Sequence, residues 1–241
     1  MNEFVDLHSH ILSGTDDGAQ RDEDMFAMLD LAYACGTRHI CLTPHFDPYH
    51  WPDNHLSADQ AFEKLAEYAT KYPDLTLYRG NELLFSYDGL EALRDGRCRT
   101  LNGTHYVLVE FSPRVSDFEV SSALNRLRSC GYRAIVAHVE RYKSLFDRRD
   151  CLEELAEKYD ARFQVNASTL FGEWGRKAKK FALKALRSSA VVAVVSDAHG
   201  TKKRAPDLRK AYAYIAKKRG VREAKRLFYD APLAILQDKN I

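Results

Sequence analysis

The sequence predicts an α/β fold, either a parallel barrel or a closely related wound sheet. Short apolar runs typical of buried strands alternate about seven times with segments of helical periodicity. The 241 residues suit one barrel-sized domain, and no low-complexity linker divides them, so we expect 1–241 to form a single domain. Side chains that bind metals follow several of the apolar runs, and the carboxyl ends of the strands hold the active site in parallel barrels.

The strands are predicted from short apolar runs rich in β-branched and aromatic residues. Such runs are typical of strands that are buried on both faces of a parallel sheet. In chain order they lie at 4–7, 38–42, 75–78, 106–109, 134–137, 163–166 and 191–195.

The helices are predicted from apolar residues that recur every three or four positions. In chain order they lie at 22–35, 57–72, 89–94, 118–130, 149–159, 176–187 and 206–229. Gly36 and Gly131 follow the first and fourth helices, where glycine commonly ends a helix. Ser57 and Gln60 form a capping-box pattern that predicts the start of the second helix. Residues 46–56 are rich in aromatic residues, Pro, Asp and His, and we predict a long active-site loop there.

Composition excludes several classes of protein. The net charge of +2 is too small to indicate a nucleic-acid-binding protein, and no apolar run approaches the roughly 18 residues of a membrane span. The five cysteines form no C-x-x-C pair, so neither a disulfide scaffold nor a thiolate zinc site is expected. No Walker loop, dinucleotide-binding glycine motif or nucleophilic serine elbow is present. With no secretion signal at the start, we expect a cytoplasmic protein without membrane insertion.

Two pairs of ligand-type residues follow apolar strands near opposite ends of the chain. His8 and His10 follow the first strand, and Asp197 and His199 follow the last. Residues i and i+2 of a strand point to the same side of the sheet, so each pair can present two side chains to one metal ion. We predict that the two pairs meet around a metal cluster.

Four further ligand-type residues stand where predicted strands end: His45, Glu82, Glu110 and His138. A carboxylate buried at the end of an apolar strand is costly unless it is paired. A metal ion is the simplest compensation for Glu82 and Glu110, and a buried salt bridge to an arginine is the alternative. The shared strand-end position favours a metal-binding role for the two histidines.

Asp16 and Asp17 are adjacent before Gly18, and their spacing does not decide which of them binds metal. Five histidines and four carboxylates exceed the needs of one or two ions, so we expect up to three divalent metals. Nitrogen and oxygen ligands suit manganese, iron or zinc. Three divalent ions outweigh four carboxylates in charge, so the loaded site would attract a phosphate ester.

Eight short motifs run in order along nearly the whole chain. They are Asp6-Leu7-His8-Ser9-His10, Asp16-Asp17-Gly18, Thr43-Pro44-His45, Gly80-Asn81-Glu82, Leu108-Val109-Glu110-Phe111, Ala137-His138-Val139-Glu140-Arg141-Tyr142, Gln164-Val165-Asn166-Ala167-Ser168 and Ser196-Asp197-Ala198-His199. Through these motifs the chain resembles the polymerase and histidinol phosphatase (PHP) family. Within that family it is most similar to the manganese-dependent protein tyrosine phosphatases of bacterial capsule and exopolysaccharide gene clusters.

The resemblance implies a distorted (β/α)7 TIM-like barrel of the PHP type with three metal positions. The first would be held by His8, His10, Glu82 and Asp197, the second by Glu82, Glu110 and His138, and the third by Asp17, His45 and His199. Arg141 and Arg204 match the arginines expected to hold the phosphate. Manganese is the expected metal, with iron or zinc as alternatives.

The function implied is hydrolysis of phosphotyrosine by attack of a metal-bound hydroxide. The expected partner is a phosphotyrosine protein, in particular the tyrosine-rich tail of a bacterial tyrosine autokinase that controls capsule or exopolysaccharide synthesis. One alternative is another PHP phosphoesterase, acting on histidinol phosphate or on nucleic-acid ends. A second is a protein that binds phosphopeptides without catalysis. Basic clusters at 176–180 and 202–204 leave a nucleic-acid partner conceivable, but solvated surfaces explain them better, and none is expected.

Overall fold

The computed structural model describes residues 3–51, 54–145 and 150–241. Every strand pair within this part of the chain is parallel. The strands are β1 (Phe4–Asp6), β2 (Thr37–Leu42), β3 (His45–Phe46), β4 (Thr76–Arg79), β5 (Glu82–Leu84), β6 (Tyr106–Glu110), β7 (Arg133–Val136), β8 (Arg162–Asn166) and β9 (Val191–Val195). They form two sheets, ordered β1-β2-β4 and β3-β5-β6-β7-β8-β9. The predicted α/β fold with parallel strands is therefore confirmed.

Two of the predicted strands are interrupted and continue in the other sheet. Thr43-Pro44 separates β2 from β3, and Gly80-Asn81 separates β4 from β5. Hydrogen bonds continue across both interruptions, since Gly80 N donates to Leu42 O at 3.0 Å and Glu82 N donates to Pro44 O at 3.1 Å. The sequence did not predict the short strands β3 and β5.

The two sheets also meet beyond the ends of β1 and β9. Ser9 and Ala198 form a parallel bridge. Around it, Asp197 N donates to His8 O at 3.0 Å, and His10 N donates to Ala198 O at 2.9 Å. The two predicted ligand pairs from opposite ends of the chain are thus held side by side.

Helices follow most of the strands, largely where the sequence predicts them. They are α1 (Asp22–Ala34), α2 (Asn54–Ala69), α3 (Tyr87–Arg94), α4 (Asp117–Ser129), α5 (Cys151–Tyr159), α6 (Gly175–Ala185), α7 (Arg209–Arg219), α8 (Val221–Lys225) and α9 (Ala231–Leu236). Of the predicted fifth helix, Arg149 lies outside the described residues.

Three helix boundaries differ from the prediction. α2 begins at Asn54 rather than at a capping box formed by Ser57 and Gln60, and Ser57 Oγ instead donates to Asn54 O within the helix. The predicted 46–56 loop therefore contains β3 at its start and helix at its end. A capping box is found instead at the start of α4, where it is formed by Ser116 and Glu119. The single predicted C-terminal helix is divided by Gly220, a π-helical turn follows α8, and α9 extends the helical region to Leu236.

The C-terminal segment packs at the amino ends of the strands and leaves their carboxyl ends free for a site. Tyr106 at the start of β6 donates from its hydroxyl to Lys239 O at 2.8 Å, and Arg162 at the start of β8 donates to Ile241 O at 2.7 Å. Ile235 and Leu236 of α9 pack with buried strand residues such as Leu108. Among the described helices, none combines the length and hydrophobicity that crossing a bilayer requires.

Candidate metal centre

The predicted ligands His8 and His10 lie side by side and fully buried just after β1. The intervening Ser9 points away from them, and its Oγ donates to Cys41 O at 2.9 Å. The alternation expected of a strand therefore places both imidazoles inside the fold. Their Nε2 atoms are 3.0 Å apart.

Two buried carboxylates face this imidazole pair. Glu82 Oε2 lies 3.0 Å from His8 Nε2 and 3.3 Å from His10 Nε2. Asp197 Oδ1 lies 3.5 and 3.4 Å from the same two nitrogens. The four residues predicted to hold the first metal are thus brought together by β1, β5 and the segment after β9.

The second oxygen of Glu82 joins a neighbouring group. His138 Nε2 lies 2.8 Å from Glu82 Oε1 and 3.4 Å from Glu110 Oε2. These are the three residues predicted to hold a second metal. His45 Nδ1 also faces this group, 3.1 Å from Glu82 Oε2 and 3.0 Å from Glu110 Oε1. Among the described residues, both glutamates therefore meet imidazoles and not the arginine considered as the alternative.

Asp17 forms the third group at the outer edge of the cluster. Its Oδ1 lies 3.2 Å from His199 Nε2 and 3.4 Å from His45 Nε2. His10 is close enough to share this group. His45 thus contacts the second group through one ring nitrogen and the third group through the other.

Asp16 lies behind the imidazoles instead of among the candidate ligand atoms. Its Oδ2 accepts hydrogen bonds from His10 Nδ1 at 2.7 Å and from His45 N at 2.9 Å, and its Oδ1 accepts from Gly18 N at 2.9 Å. A carboxylate on Nδ1 fixes the tautomer that leaves Nε2 free for a metal. The geometry favours Asp17 as the ligand and assigns Asp16 an orienting role.

Other histidines of the centre are oriented in the same way. His8 Nδ1 lies 2.5 Å from the Gln164 side-chain amide, His138 Nδ1 lies 3.2 Å from the Tyr142 hydroxyl, and His199 Nδ1 donates to Asp197 O at 3.0 Å. Gln164 presents its Nε2 to His8 Nδ1, and its Oε1 is a buried atom that lacks a hydrogen-bond partner among the described residues. Turning the amide would give Oε1 a partner, because His8 Nδ1 would then donate to it and leave Nε2 free. Gln164 and Tyr142 belong to motifs singled out in the sequence, but the sequence assigned them no role.

Burial and charge act in opposite directions on the ionisation of the cluster. Burial lowers the pKa of His8, which favours the neutral imidazole that binds metal. Although burial opposes protonation, nearby carboxylates raise the pKa of His45 to about 10 and that of His138 to about 9. Burial would raise the pKa of Glu82, but the imidazoles of His8 and His45 hold it well below its ordinary value.

The candidate ligand atoms are better arranged to bind cations than to form hydrogen bonds with one another. Within the described residues, no hydrogen bond satisfies the buried atoms Glu82 Oε2, His45 Nδ1 and His199 Nε2. Such orphaned atoms are rare in folded proteins and call for an explanation. Imidazole nitrogens and carboxylate oxygens that converge without hydrogen-bond alignment suit divalent cations such as manganese, iron or zinc.

Arg141 and Arg204, which the family resemblance implies hold the phosphate, lie at the rim of the cluster. Arg141 Nη2 donates to Asp197 Oδ2 at 2.8 Å, and Arg204 Nη2 lies 2.6 Å from Asp197 Oδ1. The ring of Trp174 contacts both guanidinium groups, 3.9 Å from that of Arg141 and 5.9 Å from that of Arg204. The sequence gave no reason to select Trp174, since a tryptophan at the start of α6 has no recognisable pattern.

Three of the site residues hold uncommon backbone conformations. His138, Asp197 and Arg204 have φ angles of 32°, 51° and 47°. Positive φ is unfavourable for residues with a side chain and persists where the surrounding structure enforces it. The chain therefore accepts local strain just after β7 and β9, at His138 and Asp197, and again at Arg204 in the loop that follows.

Comparisons with known proteins identify the family of the chain. Residues 4–237 match the family model described as capsular polysaccharide synthesis, CpsB/CapC. The tyrosine-protein phosphatase CpsB of Streptococcus pneumoniae is 33% identical over 99% of this chain and 100% of its own. The tyrosine-protein phosphatase YwqE of Bacillus subtilis is 30% identical over 83% of this chain and 79% of its own.

A solved structure is similar over nearly the whole fold. It comes from crystal structures of YwqE from Bacillus subtilis and CpsB from Streptococcus pneumoniae, described as unique metal-dependent tyrosine phosphatases. The TM-score is 0.85 at 27% identity, covering 98% of this chain and 96% of the other. The match of the family model over residues 4–237, the relatives and the shared fold lead to one conclusion: this chain belongs to the CpsB/CapC family.

Proposed function

We propose that this protein is a metal-dependent protein tyrosine phosphatase. The observation that carries the proposal is the convergence of nine predicted ligand residues, with two arginines at their edge, at the carboxyl ends of parallel strands. Relatives that match along the whole chain are named tyrosine-protein phosphatases, and the similar solved structure is described as metal-dependent.

The proposed metal ligands are the nine residues predicted from the sequence, arranged around up to three divalent ions. They are His8, His10, Asp17, His45, Glu82, Glu110, His138, Asp197 and His199. Support comes from their mutual distances and from their orphaned donor atoms. Manganese is the metal we propose, and iron or zinc would suit the same ligands. Bound metal ions would supply an acidified water as nucleophile and positive charge opposite the phosphoryl oxygens.

The side chains of the protein would bind and orient the ester. Arg141 and Arg204 approach the cluster from the same side and present planar groups that suit phosphate oxygens. Trp174 stacks on Arg141 and limits where both guanidinium groups can move. A phenolic leaving group has a pKa of about 10, so it departs with modest assistance. The ring of Trp51 is stacked on that of His45 at 5.1 Å and adds an aromatic surface beside a proposed ligand.

We further propose that residues 1–241 form one domain in which the two sheets constitute a distorted (β/α)7 barrel. If β2 with β3 and β4 with β5 each count as one interrupted strand, the strands number seven. Support for closure comes from the hydrogen bonds across both interruptions and from the Ser9–Ala198 bridge between the ends of β1 and β9.

The proposed substrate is a phosphotyrosine protein, and specifically the tyrosine-rich tail of a bacterial tyrosine autokinase that controls capsule or exopolysaccharide synthesis. Support comes from the description of the family as capsular polysaccharide synthesis and from the names of the relatives. The expected cytoplasmic location stays a prediction.

The test pairs elemental analysis of the purified protein with assays on a phosphotyrosine peptide, histidinol phosphate and oligonucleotides with terminal phosphates. We expect hydrolysis of the peptide that requires added manganese and is fastest among these substrates. Full activity in excess chelator, or faster turnover of histidinol phosphate or nucleic-acid ends, would contradict the proposal. If wild type shows no turnover with any divalent metal while His8→Ala still binds the phosphopeptide, the protein is a phosphopeptide-binding module instead.

A further inference from the structure

A groove of about 630 Å³ adjoins the candidate metal centre and is lined by aromatic rings. The rings belong to Tyr49, Phe85, Tyr87, Phe111 and Phe118. Three of them are unusually exposed: 72% of Tyr49, 62% of Tyr87 and 81% of Phe118 are accessible to solvent. Several exposed aromatic rings around one concave surface are typical of a binding site.

Residues of the groove are direct neighbours of proposed metal ligands. Phe111 directly follows the proposed ligand Glu110, and Phe85 N donates to Glu110 O at 3.0 Å. Tyr49 lies in the same short segment as Trp51, which stacks on the proposed ligand His45. A peptide whose phosphotyrosine lies at the metal centre therefore has the groove within reach of its neighbouring residues.

The polar groups of the groove favour an aromatic side chain with a polar tip. Hydroxyls of Ser86, Ser112 and Ser122 line it together with Arg114 and Arg126. The only acidic residue among those lining the described groove, Glu119, is already bound to Ser116 N and Oγ at 2.8 and 2.7 Å. The other polar groups of the lining are thus hydroxyls and cations, of which Ser86 Oγ already accepts from Gly89 N and Arg126 lies over the Tyr87 ring. They suit a phenol, and they suit acidic residues next to it.

We propose that this groove binds a second tyrosine side chain of the substrate, a few residues away from the phosphotyrosine being hydrolysed. This inference rests on the proposed phosphatase function and adds a specificity site to it. The ring of the second tyrosine packs against Phe111 and Phe118, and its hydroxyl meets the serines and arginines at the edge. The enzyme then prefers chains in which tyrosines are clustered over chains with an isolated phosphotyrosine.

The experiment compares Gly/Ser-rich phosphotyrosine peptides that carry one extra tyrosine at two to five residues on either side. Each peptide is paired with one in which alanine replaces the extra tyrosine. Wild type, Phe118→Ala and Val221→Ala are assayed with manganese, and p-nitrophenyl phosphate serves as a substrate too small to reach the groove. Val221 is the control because it is an exposed apolar residue outside the groove, 65% accessible to solvent.

We expect the extra tyrosine to raise kcat/KM by about three- to ten-fold at one or two spacings, as for an aromatic contact at a binding site. Phe118→Ala should abolish this preference and leave p-nitrophenyl phosphate turnover unchanged, and Val221→Ala should keep the preference. Equal kcat/KM for both peptides of every pair would overturn the groove proposal and leave the phosphatase proposal intact.

A binding measurement separates the two proposals if turnover fails. Peptides with a non-hydrolysable phosphonate in place of the phosphate are titrated into the same three proteins by calorimetry. No turnover of any substrate would overturn the phosphatase function. In that case, tighter binding of the tyrosine-containing peptide that Phe118→Ala removes would support the groove, and equal binding of both peptides would overturn it.

Discussion

The adjacent residues Asp16 and Asp17 allow a sharp test of the metal centre, because the structure assigns them different roles. Asp16 is buried and accepts hydrogen bonds from His10 Nδ1, His45 N and Gly18 N. Asp17 is 56% exposed and directs Oδ1 towards His199 and His45. Asn replaces either residue with nearly the same shape and removes only the charge and one acceptor oxygen.

The expected magnitudes follow from these contacts. A hydrogen bond to a charged group contributes about 1.5–3 kcal/mol, and about 1.4 kcal/mol corresponds to a factor of ten. Asp16→Asn keeps an oxygen that can accept from His10, so we expect about ten- to hundred-fold weaker metal binding with the number of bound ions unchanged. Asp17→Asn removes a proposed ligand, so we expect one ion fewer per chain.

The assay is elemental analysis after dialysis against a fixed free manganese concentration, together with calorimetric titration of the metal-free protein. Circular dichroism spectra of both variants control for folding. If Asp16→Asn loses an ion and Asp17→Asn keeps the full complement at wild-type affinity, the assignment of ligand and orienting residue is wrong.

Three further predictions test the surroundings of the centre. Trp174→Ala should raise KM for a phosphotyrosine peptide by about two- to ten-fold, since a cation–π contact is worth about 0.5–1 kcal/mol at exposed sites and Trp174 contacts both arginines. Trp174→Phe should recover most of the loss. An equal KM for wild type and Trp174→Ala would refute this role of Trp174. Gly18→Ala should weaken metal binding and lower Tm, because a Cβ at position 18 would lie 2.1 Å from His10 O, whereas Gly200→Ala next to His199 meets nothing closer than 3.6 Å and should behave as wild type in both measurements. Without metal, nearby carboxylates raise the pKa of His45 to about 10 and that of His138 to about 9. The stability that these two protonated histidines contribute is therefore complete below about pH 6.5 and is lost as pH rises through 9 to 10. Tm of chelator-treated protein should fall over that range, and much less with manganese, whereas a flat profile for the metal-free protein would contradict the assigned ion pairs.

Sequence reasoning was most successful where a strand dictates side-chain direction. His8 and His10 lie on one side of a strand by simple alternation, and apolar runs identify strand ends well enough to place Glu82, Glu110 and His138 at one edge of the sheets. The sequence could not separate Asp16 from Asp17, because both lie in a loop and the fold decides which one points inwards. It could not anticipate that His45 faces two groups at once, because that depends on the side chains opposite it.

The wrong prediction at Ser57 has a similar origin. The capping box is a local signal, and α2 begins three residues earlier, at Asn54, for tertiary reasons. Asn54 is buried, and its side-chain amide bonds Thr15 O at 3.2 Å and also His45 O. The start of the helix is therefore fixed by contacts that tie it to the loop before α1 and to the metal centre, which a propensity argument does not include.

Glu82 contacts more imidazoles of the centre than one metal group requires, and the interruption before β5 explains its position. It is fully buried and lies within 3.3 Å of imidazole nitrogens from His8, His10, His45 and His138. In the interruption before it, Gly80 is closely surrounded, since a Cβ there would lie 3.1 Å from Cys41 Sγ and from Leu101 Cδ2, which would have to shift.

The Asn81 side chain adds two hydrogen bonds at this interruption. Its Nδ2 donates to Pro44 O at 3.1 Å, which also accepts from Glu82 N, and its Oδ1 accepts from Arg99 N at 2.9 Å. The chain re-enters the second sheet at Glu82, opposite His45 across the β3–β5 pair. A carboxylate and an imidazole that belong to different interrupted strands thereby become direct neighbours. The paired interruptions at Thr43-Pro44 and Gly80-Asn81 are thus part of the metal centre, because they set the register that brings these two side chains together.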